Sequence, residues 1–470
     1  MKNSVMPGKL RRYLLLALVF ALPPQMANGQ AWDAVKYFKY NIDNVTVTPV
    51  VAGTWNVKVI FSVTNPTVGG FWNIRNDAPF TSAGAGLTLD IGWDPASDFI
   101  NTGSANPALS PVVTTALGTG AAIPVQVRGL QGNIAPAGVA TACDLDPSKC
   151  PGVTPTGRFW VARNVTPRPL GAVKDGRVAI EGKPVCNGIA GFTCPTTVAP
   201  FANVPVPSVV ASFAFTATES LAAMIPDPRR QIVDIAKCQQ CHDNKQHGAT
   251  IVPKLSLHGN NRTENLGLCV MCHNPNQTDV PYRLQPAGTT ADPRIAGPEM
   301  PIDFKVLVHS IHSGGFRVNP YVVVGFQSSV NDFSDVRFPR ELRNCVNCHI
   351  DASGKGTFEL PIKSTLGTTV TTQSIYLVAP PTATPPGVRA ISVDPADDLK
   401  ITPIAAACSA CHDKAEVKSH MVRTGGASFG TLQANIGVTV EEKCANCHGP
   451  GKEEDVRRAH EISRSGGGGD

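Results

Sequence analysis

Ten of the chain's 14 cysteines fall into five copies of one pattern, Cys-x-x-Cys-His. The copies are Cys238, Cys241 and His242; Cys269, Cys272 and His273; Cys345, Cys348 and His349; Cys408, Cys411 and His412; and Cys444, Cys447 and His448. Two thiols at this spacing can add to the two vinyl groups of one haem, and the adjacent histidine then sits under the iron. A lone copy serves equally as half a zinc site or as a redox dithiol. A zinc site needs two pairs facing each other, and an odd number of pairs, each with its own histidine, argues against that use. The pattern predicts five covalently bound haem c groups with His242, His273, His349, His412 and His448 as proximal ligands.

A haem that passes electrons without binding substrate needs a second axial ligand. Of the 11 histidines, six lie outside the motifs: His247, His258, His309, His312, His420 and His460. All six fall in the same half of the chain as the motifs. Six candidates for five vacancies predict bis-histidine, low-spin irons closed to substrate. Methionine ligation has little support among only 7 methionines, two of which (Met271 and Met421) lie inside or beside these motifs.

The stretch FKVLVHSIHSGGF, 304–316, contains two of the spare histidines and no cysteine. Phe304, Leu307, Val308 and Ile311 recur at helical spacing, which predicts a helix docked by that face. Asp303 is placed to cap its start and Gly314-Gly315 to end it. His309 and His312 then share another face, one turn apart. The axial positions of one haem lie on opposite sides of its ring, so neighbouring side chains of one turn must reach two different haems. The spacing and the missing glutamate exclude an H-E-x-x-H zinc site. An exposed histidine pair is the plainer alternative.

The first half of the chain must position this region, and it reads as β-structure. In WNVKVIFSVTN, 55–65, the odd positions Val57, Val59, Phe61 and Val63 are apolar. VVASFAFTATE, 209–219, puts Val209, Ala211, Phe213 and Phe215 on one face. Strict alternation marks half-buried strands, and GRFWVARNV (157–165) and GRVAIEG (176–182) add shorter ones. Pro, Gly, Asn and Thr punctuate the rest, as an antiparallel sandwich or barrel requires. Cys143, Cys150, Cys186 and Cys194 are expected to be oxidised. The short loops favour Cys143–Cys150 and Cys186–Cys194, with crossed pairings open and a redox-switchable disulfide as the alternative to a loop staple. The second half is rich in Gly, Pro and polar residues. It has too few apolar periods for an ordinary core, so the macrocycles are expected to be its core, wrapped by short helices and loops. The expected division is a signal peptide at 1–31, a β domain at 32–225, a pentahaem domain at 226–462 and a flexible tail at 463–470.

The leader places Lys2, Lys9, Arg11 and Arg12 ahead of a short apolar run, Tyr13 to Leu22, followed by small residues. That is the form of a secretory signal, too short to span a bilayer. No cysteine lies near the cleavage site, so no lipid anchor is expected, nor any transmembrane segment elsewhere. Of the formal charge of +5, the leader's four cations account for most, leaving about +1 (5 − 4). Ferric haems with ionised propionates contribute roughly −1 each, which takes the oxidised protein to about −4. A nucleic-acid partner is therefore excluded. Asp394, Asp397 and Asp398 form an acidic cluster for which a solvated loop is the expected reading and calcium the alternative.

Residues 225–462 resemble one pentahaem half of the OmcA/MtrC family of outer-membrane multihaem cytochromes. The resemblance rests on KCQQCH, on LSLHGNNR followed by LCVMCHNPNQTD, on IDFKVLVHSIHSGGF and on FPRELRNCVNCHIDASGKGTFELP. It extends through TPIAAACSACHD, with His420 following, to CANCHGPGKEEDVRRAH. It implies a β domain of split Greek-key type followed by a pentahaem domain, and distal ligands at His258, His309, His312, His420 and His460, with His247 the odd one out. It implies electron relay through five haems to an exported acceptor (a metal oxide, a flavin or another cytochrome), with redox partner cytochromes and a porin-cytochrome conduit as partners. A pentahaem reductase with an open catalytic haem, for which no Cys-x-x-Cys-Lys motif is present, is one rival. A haem-bearing assembly or scaffold protein is the other.

Overall fold

A computed structural model describes residues 30–462 apart from 52, 96–97, 100–123, 133–139, 168–173, 248–249, 284–291, 327–328, 353–354, 361–366, 374, 378–388, 392–396, 433–434 and 437–440. The expected signal peptide and C-terminal tail lie outside these residues, as does Asp394 of the acidic cluster. The protein is multidomain, built mostly of β-sheet and short helices.

The N-terminal part contains two antiparallel sheets. One has the order β1-β2-β6-β5, from β1 (Lys39–Val51), β2 (Thr54–Thr64), β5 (Thr141–Ala142) and β6 (Arg158–Val165). The other has the order β4-β3-β7-β8-β9, from β3 (Gly86–Trp93), β4 (Val125–Arg128), β7 (Asp175–Lys183), β8 (Val209–Ala214) and β9 (Met224–Ile225). All four stretches read as strands are strands. The apolar positions of β2 do what their spacing predicts: Val57, Val59, Phe61 and Val63 enter one core with Leu87, Leu89, Ile91 and Trp93 of β3 and Val178 and Ile180 of β7. The strand is not half-buried, however: Ile60 and Ser62 on its other face are buried too, Ile60 against the Cys143 and Cys150 pair. Along one side the sheets are stitched together: Val47 N donates to Ser220 O at 2.9 Å and Ala223 N to Val45 O at 2.9 Å. A Cβ on Gly176 would come within 2.3 Å of the Phe213 ring, so β7 and β8 pack closely only because that position is bare.

Two further expectations need correction. The stretch 209–219 is a strand only to Ala214, and it is not simply half-buried. Phe213 fills the inter-sheet core while Ser212 and Val210, on the other face, are covered by the second half of the chain. Residues Val178, Ala179 and Ile180 of β7 are likewise all buried. Each short loop holds its own cysteine pair at bonding distance, Cys143 with Cys150 (Cα–Cα 5.9 Å) and Cys186 with Cys194 (5.3 Å).

From Ile235 onward the elements are short: α1 (Ile235–Gln239), α2 (Leu266–Cys272), α3 (Phe304–His312), α4 (Pro403–Ser409), α5 (Ala415–Arg423), α6 (Ala445–His448) and α7 (Val456–Ala459). They are joined by hairpins such as Ser256–Leu257 with Arg262–Thr263. Apolar clusters here are small: Val306 with Ala406 and Ala410, and Ala405 with Met421 and Ala427. Among the described residues no helix is long and apolar enough to cross a membrane, and no group of three or more His, Cys, Asp or Glu is gathered around Asp397 and Asp398 or elsewhere to hold a metal ion.

Candidate functional site

The motif cysteines sit at helix ends. Four of the motifs run through or out of α1, α2, α4 and α6, and the third occupies a single turn, Cys345–Asn347. In each, the histidine backbone N–H closes onto the first cysteine carbonyl, for example His242 N to Cys238 O at 2.9 Å and His412 N to Cys408 O at 2.8 Å. This turn brings both sulfurs and the imidazole to one side of the chain. All ten thiols are free. Burial pushes Cys238, Cys269 and Cys345 up to about 11, and Cys272 and Cys408 up to about 12. A redox dithiol works through a lowered thiol pKa, so the dithiol alternative finds no support here.

The histidines pair off. Ring centroids lie 6.3 Å apart for His242 and His312, 6.0 Å for His273 and His258, and 6.0 Å for His349 and His309. The separation is 5.9 Å for His412 and His460 and 6.2 Å for His448 and His420. Two metal–imidazole bonds of about 2 Å each, plus the ring half-widths, put the centroids of trans ligands about 6 Å apart. Ordinary aromatic packing covers distances of about 4.5–7 Å as well. It does not by itself give every motif histidine one partner and share none. His247 stands outside the pairs: its Nε2 lies 2.9 Å from Asp243 Oδ1.

The outer ring nitrogens are tied back. His242 Nδ1 lies 2.9 Å from Pro253 O, His273 Nδ1 2.9 Å from Ile302 O and His448 Nδ1 2.9 Å from Glu454 O. His349 Nδ1 lies 3.0 Å from Thr357 Oγ1. Two partner histidines use their own helix one turn back, His312 Nδ1 at 2.8 Å from Val308 O and His460 Nδ1 at 2.9 Å from Val456 O. His309 Nδ1 faces the Lys305 carbonyl in the same way but outside hydrogen-bond geometry. A carbonyl on Nδ1 fixes the tautomer and leaves Nε2 with its lone pair outward, the arrangement a metal requires. Burial favours the neutral form of several of these imidazoles, pushing His258 and His349 down to about 3 and His309 to about 4, and lowering His273, His312 and His412. Neutral rings are the ligating form.

Helix α3 spans Phe304–His312 as expected, yet two details differ. Asp303 does not cap it with its side chain; the carboxylate instead accepts from Lys305 Nζ and Thr369 Oγ1. The buried side is Val306 and Ser310, packed on α4, while Phe304, Leu307, Val308 and Ile311 are only half-buried. The turn after the helix is forced tight: a Cβ on Gly314 would lie 1.9 Å from Phe333 O.

Several positioning residues carried no sequence signal. Lys237, adjacent to Cys238, donates to Val346 O at 2.6 Å and His349 O at 2.7 Å, tying the first motif to the third. Phe338 and Phe358 set their rings edge-on against His312 and His349 at 5.5 Å and 5.7 Å. The Glu442 carboxylate accepts from Ile404 N at 2.6 Å and Ala405 N at 2.8 Å, capping the helix that carries Cys408. Only the reversed capping of Glu442 could have been sought in the sequence, and its distance from α4 hides it.

Residues 230–461 match the family described as outer membrane cytochrome MtrC/MtrF-like, domains II/IV. Through this segment the chain belongs to that family. Covalent haem c and electron transfer by an outer-membrane cytochrome follow from that membership. No curated protein matches the chain. The residues present fit haem c: paired free thiols beside a neutral imidazole whose Nε2 is open, with a second imidazole at trans-ligand distance.

Proposed function

We propose that this cytochrome relays electrons through five bis-histidine haems c to an acceptor outside the cytoplasm: a metal oxide, a flavin or another cytochrome. The observation that carries it is the one-to-one pairing of motif and non-motif histidines at 5.9–6.3 Å. Each haem, when bound, supplies a one-electron iron centre, and the protein's part is to hold it closed and close to its neighbours. By number along the chain, haem I is bracketed by His242 and His312, II by His273 and His258, and III by His349 and His309. Haem IV is bracketed by His412 and His460, and V by His448 and His420.

The geometry bears on part of the relay. His309 and His312 leave one helical turn toward the third and first motif histidines, and Lys237 beside Cys238 donates to Val346 O and His349 O, so haems I and III are neighbours in the path. The N-terminal half, as a β-sandwich at 32–225, is a docking unit for the pentahaem domain at 226–462, and the chain acts with partner cytochromes of a conduit. The two loop disulfides serve as staples of that unit.

The count is tested on the mature holoprotein: mass spectrometry should show five covalent haems, and electron paramagnetic resonance only low-spin ferric signals. A substantial high-spin signal at neutral pH would sink the closed-haem reading in favour of a reductase. His247 gives a finer check. Because Asp243 holds it, His247→Ala should leave the low-spin spectrum unchanged, whereas His258→Ala should make one iron five-coordinate. The reverse result would exchange their roles.

A further inference from the structure

The five-stranded sheet has a second face that the inter-sheet core does not use. Strand register puts Thr88, Asp90 and Gly92 of β3 on it, beside Gln126 and Arg128 of β4 and Arg177, Ala179 and Glu181 of β7. Helix α2, which ends at Cys272, lies on this face. Met271 and Leu268 pack with Ala179 and Phe99, and Arg177 Nη1 donates to Gly267 O at 3.1 Å. A Cβ on Gly92 would already stand 3.2 Å from Met271 Cε, so the strand and the motif helix touch directly.

Asp90 sits in this interface with no exposure to solvent. Its Oδ1 accepts from Gln126 Nε2 at 2.8 Å, and its Oδ2 has no hydrogen-bond partner among the described residues. The cations that act on it are engaged elsewhere: Arg262 donates to Glu181 through Nε at 2.5 Å and Nη2 at 3.3 Å. Arg128 donates to Gln126, at 2.7 Å, and not to Asp90. The charged and titratable groups facing Asp90 are therefore Glu181 from β7, Arg262 from the 256–263 hairpin, Arg128 from β4 and the Cys272 thiol from α2. Once thioether-bonded, Cys272 no longer titrates. Burial first, and Glu181 second, push the Asp90 carboxyl up to about 7, against the pull of Arg262, Gln126 and Arg128.

A buried carboxyl without its own cation responds to any change of charge nearby. A haem attached at Cys269 and Cys272 would hang from the helix that packs on the same sheet face as Asp90, through Met271 against Gly92 and Ala179, so an electron on it would add a negative charge to the surroundings of this carboxyl. We propose that Asp90 is the proton-coupling residue of haem II, taking one proton from solvent onto its carboxylate when that haem is reduced and releasing it when the electron moves on. The balance is complete: the relay supplies the electron, solvent supplies the proton, and the local charge is unchanged. The inference rests on the reading that a haem is attached at Cys269 and Cys272.

The sign of the pH dependence follows. Well below the pKa of the oxidised state, Asp90 is protonated whether haem II is oxidised or reduced. Well above the higher pKa of the reduced state it is ionised in both. Between the two, reduction takes up a proton and the haem II midpoint falls as pH rises.

The experiment measures protons taken up on full reduction of the holoprotein in weakly buffered solution, for the wild type and for Asp90→Asn. Asparagine keeps the size and the Gln126 contact but cannot titrate. With haem content and low-spin spectrum unchanged, the variant should take up fewer protons. The deficit should be about half a proton near pH 7, where the Asp90 carboxyl is half protonated, and should approach one at higher pH between the two pKa values. The reduced-minus-oxidised infrared difference should lose a carboxylic-acid carbonyl band present in the wild type. Equal proton uptake overturns the proposal. A haem count below five by mass overturns instead the reading beneath it. Should Asp90→Asn not fold, Gln126→Leu removes the hydrogen bond that favours the ionised form and should move the onset of the pH dependence upward. No movement in that variant is equally fatal.

Discussion

Replacing His309 or His312 by alanine is expected to open one iron each, and replacing both to open two. The expectation follows from their different partners. His309 lies 6.0 Å from His349 with the rings 12° from parallel, while His312 lies 6.3 Å from His242. The two side chains leave one helical turn toward haems III and I. An open ferrous iron binds carbon monoxide, so titration of the reduced protein counts vacancies directly. The single variants should bind about one equivalent and the double variant about two, each vacancy with loss of its low-spin signature. The helix should stay docked in all three, because Val306 and Ser310, not the histidines, pack it against α4. Lys237, bridging the first and third motifs, keeps those two sites adjacent in the variants. Electron passage along the whole chain should slow more than the loss of two ligands alone suggests, since I and III are neighbours in the relay and both are opened. A double variant that binds no more carbon monoxide than a single one would show that one turn does not clamp two haems.

The chemistry of this chain was legible because its carriers are local. Five Cys-x-x-Cys-His motifs need no tertiary information, and the surplus of histidines in the same half pointed to the rings that the motif histidines meet. Which histidine meets which motif was not legible. His242 and His312 are 70 residues apart in sequence, and His420 meets the fifth motif while the nearer fourth takes His460. Those choices are made by packing between short elements that carry no period of their own. The strands divide in the same way. β2 showed itself by the apolar spacing of Val57 to Val63, although Ile60 and Ser62 on its other face are buried as well. β1 and β3 did not: β1 carries a register shift between Ile42 and Asn44, and β3 is buried on both faces from Leu89 to Trp93. Arg177 and Glu181 of β7 look like the solvent side of a half-buried strand. They are buried, because the motif-bearing half of the chain packs on that side.

The same contrast sets the largest expected effect on stability. In the β half, long strands bury Val45, Val59, Phe61, Leu89, Ile91, Trp93 and Phe213 in one continuous core. At roughly 1.5–3 kcal/mol for each large apolar side chain removed from water, that core can hold itself together. The pentahaem half offers only separate clusters of a few side chains each. Its motif histidines are half-buried, and His412 is exposed, so without haem they supply no core of their own. When the chain is exported from cells lacking the haem-attachment machinery, the β half should keep its cooperative unfolding transition. The segment after about residue 230 should be cleaved within the shortest digestion times, and far-UV circular dichroism should lose the helical contribution of α1 to α7. The holoprotein should resist the same protease across its whole length. Protection of the pentahaem segment in the haem-free chain would show that the polypeptide builds its own core, and that the haems are added to a finished fold instead of completing it.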